Sequence, residues 1–194
     1  VLEILPYILL GLSFILNIIL FVQYYWQKKE LAIAKQTDKT TGLNNTQATF
    51  AELEQAFLYA KRYHRPLTIA LLHIGGLSEL EDDSTGARDK RLKKIAKELN
   101  ALLRNTDILG RVDNQQFLIA LTHTNTHDAR AVFERISEVL TKAFSDSFFN
   151  LGVVHVSSII TSSKELMSEA QMALRDSKAN GANQIAYSSH KHTD

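Results

Sequence analysis

From Ile4 to Trp26 the chain carries no charged side chain. A backbone that crosses lipid must satisfy its own hydrogen bonds, and 23 helical residues at about 1.5 Å each match a hydrocarbon core of roughly 30 Å. The spacing predicts a transmembrane helix over residues 1–27. Tyr24, Tyr25 and Trp26 form an aromatic belt at its C-terminal end, and Lys28 and Lys29 follow at once. A cleavable leader would carry its basic residues before the apolar run and a small-residue cleavage site after it, so an anchor is expected. The lysines place that end, and everything beyond it, on the cytoplasmic side of the inner membrane as a single-pass protein.

Charged, helix-permissive residues 28–37 read as a stalk or linker, residues 38–188 as one domain, and "SHKHTD", 189–194, as a disordered tail. With no cysteine, disulfides and thiolate metal sites are excluded. Lysine and arginine total 22 against 21 acidic residues, so no basic excess marks a nucleic-acid partner.

Within the domain, Phe50, Leu53, Phe57, Tyr59 and Ala60 recur at near-helical spacing over 47–62, and "LTIALLHI" is an uninterrupted apolar strand. Leu92, Ile95, Leu99 and Leu102 mark a second helix, and Ala129, Val132, Phe133, Ile136 and Leu140 a third. Between them Ile108–Val112 and Phe117–Leu121 read as hairpin arms. "FNLGVVHV" is a further strand, "SKELMSEAQMALRDSKANG" a helix closed by Gly181, and "NQIAYS" an edge strand. Strands alternating with helices around one hairpin predict an α+β fold, a mixed sheet flanked by helices.

Three motifs in this order resemble the GGDEF domain of diguanylate cyclases over about residues 38–187. "DKTTGLNN" resembles the family's opening motif through Asp38, Thr41, Gly42, Leu43 and Asn45. "LLRNTDILGRVDNQQF" stands where the family has Arg-x-x-Asp and the signature hairpin, and "AQMALRDSKANGANQI" is similar to its closing helix and strand. The signature positions themselves read Asp113, Asn114, Gln115, Gln116 and Phe117, of which only the phenylalanine matches. The resemblance puts metal-binding aspartates at His73 and Gly75, the guanine-contacting asparagine near Glu81 and a phosphate-contacting arginine at Ala182. Hard divalent ions take carboxylate oxygen, so the expectation is a degenerate domain, not an enzyme, with no catalytic residues, no metal and no cofactor.

The resemblance also implies a ligand site for cyclic di-GMP, the family's product and inhibitor. Arg104 and Asp107 form the Arg-x-x-Asp motif, and Arg135 in "FERIS" stands where the family supplies a second arginine. Arginine's planar fork bonds O6 and N7 of guanine, while a carboxylate accepts from its N1 and N2. The opposing reading makes Arg104 a helix-terminal cation paired with Asp107 on the surface. Two function classes follow: a membrane-anchored cyclic di-GMP receptor signalling to a membrane or cytoplasmic protein, or a nucleotide-independent scaffold, with a second copy of the chain among its candidate partners. "HTNTH" and "HKH" lack a third ligand at fixed geometry and read as loop and tail, and "ELEDDSTG" as a solvated loop that caps the next helix.

Overall fold

The computed structural model describes residues 11, 13–24, 36–77 and 86–188. The chain divides into two compact units, Val1–Thr37 and Asp38–Asp194. In the first, residue 11 and residues 13–24 are helical, and the rest of the expected membrane span and most of the stalk lie outside the described residues. Among the described residues no helix is long and apolar enough to cross a membrane, so the span over 1–27 receives no support there. The tail 189–194 and Glu81 also lie outside them.

The second unit runs α1 (Thr46–Tyr63), β1 (Leu67–Gly75), α2 (Ala87–Leu102), β2 (Ile108–Asp113), β3 (Gln116–Thr122), α3 (Thr126–Ala143), β4 (Phe148–His155), α4 (Ser163–Ala179) and β5 (Ile185–Tyr187). The sheet order is β2-β3-β1-β4-β5. Every pairing is antiparallel except β4 with β5, so the sheet is mixed, as the sequence implies.

β1 sits at the centre because both of its faces are apolar. Ala70, Leu72 and Ile74 face a core shared with Leu92, Ile95 and Leu99 of α2 and Phe133, Ile136 and Leu140 of α3. The alternate residues Leu67, Ile69 and Leu71 face Leu53 and Phe57 of α1 and Leu166, Ala170 and Leu174 of α4. Two-residue periodicity in the strand thus meets helical periodicity on either side.

On α1 the buried stripe is Leu53, Phe57 and Ala60, whereas Phe50 and Tyr59 are 40% and 47% exposed. Positions 53, 57 and 60 share one helical face and 59 falls off it, whereas Phe50 lies on that face near the start of the helix and stays partly exposed. The N-cap of α2 is Gly86, which has no side chain to cap with, and the acidic residues expected to cap this helix lie outside the described residues. Close approach of α4 to the sheet depends on Gly152, where a Cβ would lie 2.1 Å from the backbone N of Leu174.

Candidate functional site

The hairpin β2–β3 has two ends. At its tip Asn114 and Gln115 turn the chain, with a register shift between Arg111 and Asp113. Phe117 is fully buried in the core, which accounts for its presence, and the Asp113 carboxylate accepts from the Asn114 N–H at 2.7 Å. Arg111 holds this tip: Nε donates to the Asp113 carbonyl at 3.2 Å and Nη2 to the Asn114 carbonyl at 2.9 Å. Its Nη1 lies 3.3 Å from Asp38, with only 11% and 22% of the two side chains exposed. Asp38 also accepts from the N–H and hydroxyl of Thr41, closing a turn at Gly42, whose φ of 75° suits glycine. Burial alone would raise the Asp38 pKa, but the Thr41 bonds and Arg111 outweigh it and hold the carboxyl below its usual range.

His73 stands beside the tip, in register with Gln116 on one side and Asn150 on the other. Burial, with help from the Lys178 cation and against Asp113, lowers its pKa to about 4, so the imidazole is neutral at physiological pH. Its Nδ1 and the Asn150 Oδ1 are both buried without a hydrogen-bond partner among the described residues. At Gly75 an added Cβ would lie 1.9 Å from the Phe148 ring, so that ring fills the space a side chain would need. His73, Gly75, Gln115 and Gln116 offer only neutral donors, and no group of three His, Asp or Glu that could hold a metal occurs among the described residues. These positions do not fit a carboxylate-bound pair of divalent ions, and no chemical step is derived through one. Ala182 is exposed beyond α4.

The base of the hairpin carries the Arg-x-x-Asp loop. After α2 the backbone turns extended at Leu103, and the Asp107 N–H donates to the Arg104 carbonyl at 3.0 Å. One Asp107 carboxylate oxygen accepts from the Arg104 N–H at 3.0 Å and the other from the Thr122 N–H at 3.2 Å. The surface ion pair of the opposing reading is not what Asp107 forms: its carboxylate is held by backbone, and the Arg104 guanidinium has no partner among the described residues. Arg135, from α3, donates through Nη2 to the Leu102 carbonyl at 3.1 Å. Arg104 and Asp107 thus share one loop, and Arg135 reaches from α3 to the Leu102 carbonyl at the end of α2, just before that loop. Sequence spacing did not indicate the Arg111 clamp, which needs contact across the fold to be seen, nor Phe148 over Gly75, although a glycine–aromatic pair on neighbouring strands is its signal.

A sequence model of the family described as "Diguanylate cyclase, GGDEF domain" matches residues 35–184. The chain belongs to the GGDEF family. Diguanylate cyclase DgcP of Escherichia coli is 25% identical over 150 residues, covering 73% of this chain and 44% of that protein. Further curated relatives are also named diguanylate cyclases, and the chain spans less than half the length of those it matches. Among solved structures, the coiled coil and GGDEF domain of DgcB from Caulobacter crescentus in complex with c-di-GMP is similar with a TM-score of 0.82 at 16% identity, covering 88% of this chain and 95% of that one. Diguanylate cyclase SiaD of Pseudomonas aeruginosa, in complex with its activator SiaC, is similar with a TM-score of 0.72 at 22% identity, covering 92% and 72%.

These matches support the α+β architecture expected from sequence. They also correct one expectation: with the family domain present and its relatives named as cyclases, the altered tip does not establish that the chain is not an enzyme. The reason is physical as well, since ligand chemistry at four positions describes metal preference and not turnover.

Proposed function

We propose that this GGDEF domain binds cyclic di-GMP at Arg104, Asp107 and Arg135 and passes the bound state to a protein partner from an anchor in the inner membrane. The observation that carries the reading is the loop itself. Two backbone N–H groups fix the Asp107 carboxylate, Arg104 stands in the same loop, and Arg135 of α3 bonds the Leu102 carbonyl at the end of α2. A carboxylate has about four acceptor sites, so two remain for guanine N1 and N2 while an arginine fork meets O6 and N7. That related domains are seen with c-di-GMP, and one with an activator protein, supports both halves of the proposal. The hairpin tip Asp113–Phe117 lies at the other end of β2 and takes no part in this site.

The anchor over residues 1–27, the stalk over 28–37 and the cytoplasmic placement of the domain belong to the same proposal. Support comes from Phe14, Ile15, Leu16, Ile18, Ile19 and Leu20, consecutive turns of helix with apolar side chains about half exposed or more, a surface suited to lipid. The second reading, a nucleotide-independent scaffold, is favoured by exposed Leu58, Tyr59 and Tyr63 on α1.

Calorimetric titration of the chain with cyclic di-GMP separates the two. The receptor reading expects saturable binding that Arg104→Ala weakens by about tenfold or more, a bidentate guanine contact contributing roughly 1–3 kcal/mol. Gln115→Ala is expected to leave affinity unchanged. Equal affinity of parent and Arg104→Ala would transfer the function to the scaffold reading.

A further inference from the structure

Beside the Arg-x-x-Asp loop a cavity of about 360 Å³ opens between α1 and the end of β3, lined by Tyr59, Ala60, Arg65, Leu67, Thr106 and His123 among others. Its walls are aromatic and aliphatic with few polar groups, the composition of small-molecule sites of this size. Tyr59 is the principal feature. Its ring is half exposed and stands edge-on to His123, with 5.8 Å between centroids, and tilted against Tyr63 at 4.6 Å. His123 is held in the left-handed region, with φ of 53°, which aims its ring back over α1 instead of along the strand.

The cavity is welded to the loop. Thr106 belongs to both, the Thr122 hydroxyl donates to the Thr106 carbonyl at 3.0 Å, and the Thr122 N–H binds Asp107 at 3.2 Å. Arg65 at the rim, like Arg104, has no side-chain partner among the described residues, so an anion lying between loop and cavity would meet uncompensated cations.

We infer that this cavity is a base-stacking subsite, in which Tyr59 and His123 receive one guanine of cyclic di-GMP while Arg104 and Asp107 read the other. The inference rests on the proposed function and adds the second half of the ligand. A cyclic dinucleotide presents two flat purines joined by two phosphates, and the site offers one polar edge reader, one aromatic shelf and unpaired arginines beside them. Stacking on an aromatic side chain is tolerant of hydrogen-bonding pattern, so the shelf adds affinity and the loop adds selectivity for guanine.

The test is calorimetric titration of the full chain with cyclic di-GMP, for the parent and for Tyr59→Ala, Tyr59→Phe, His123→Asn and Arg104→Ala, with thermal melts to confirm folding. Asparagine is chosen at 123 because it tolerates the left-handed backbone. Expected are a loss of about tenfold for Tyr59→Ala, a smaller loss for His123→Asn and retention within about twofold for Tyr59→Phe, since the ring and not the hydroxyl stacks. Guanosine monophosphate, which offers a single base, should lose little affinity in Tyr59→Ala. If Tyr59→Ala binds like the parent while Arg104→Ala does not, the shelf is overturned and the loop site stands. If the parent binds no ligand, both fall. If Tyr59→Ala leaves affinity unchanged but dissociates a dimer in sedimentation, the shelf is a contact between copies, which also overturns the inference.

Discussion

Replacing Arg111 with alanine removes a side chain that ties the opening turn of the domain to its hairpin tip. Three contacts disappear: the 3.3 Å pair with Asp38 and the donations to the carbonyls of Asp113 and Asn114 at 3.2 and 2.9 Å. Hydrogen bonds involving a charged group contribute about 1.5–3 kcal/mol each, and stranding one partner of a buried ion pair costs about 3–5 kcal/mol. The pair here is long and reaches water at one edge, so the loss expected for Arg111→Ala is about 3 kcal/mol. For a domain of this size that lowers the melting temperature by about 6–12 °C. Thermal and urea melts read it directly. Asp38→Asn supplies the second arm of a cycle, because asparagine can still accept from Thr41, and it should cost clearly less in the Arg111→Ala background than in the parent. A loss below about 1 kcal/mol, or additive single losses, would show that the clamp is a surface pairing without consequence.

Two glycines should respond differently to added volume. Gly75→Ala meets the movable Phe148 ring and should cost about 1–3 kcal/mol, with Phe148→Ala relieving it, whereas Gly152→Ala meets the α4 backbone and should cost more than about 3 kcal/mol with no side-chain rescue. Denaturant midpoints of the single and double variants decide this. His73 is neutral in the fold with a pKa of about 4 against an ordinary 6.5, so the unfolded chain binds more protons between those values. The contribution is present in full above pH 6.5 and is lost as pH falls toward 4, and His73→Gln should flatten the stability profile in that window. A profile with unchanged slope would mean that the imidazole is solvated.

Much of the architecture was legible because the core obeys simple periods. Leu92, Ile95 and Leu99 lie buried on one helical face, and the apolar run at β1 is buried on both sides. The helical spacing that includes Phe50 and Tyr59 did not show which of these residues would be buried, and the fold leaves both partly exposed. That Arg104 and Asp107 share one loop could be expected from motif spacing. The engagement of Asp107 with backbone could not, since its second partner, the Thr122 N–H, is 15 residues away on the next strand. The tyrosine and histidine that frame the neighbouring cavity are likewise joined only by folding.

The most direct measurement of the central claim is an amide chemical-shift titration of the isotopically labelled chain with cyclic di-GMP. The account predicts that the largest perturbations fall on Arg104–Asp107 and Thr122, whose N–H groups surround the Asp107 carboxylate, with the amides of Asp113–Phe117 nearly still. Perturbations concentrated at Asp113–Phe117 and His73, with the Arg104 loop unmoved, would contradict it.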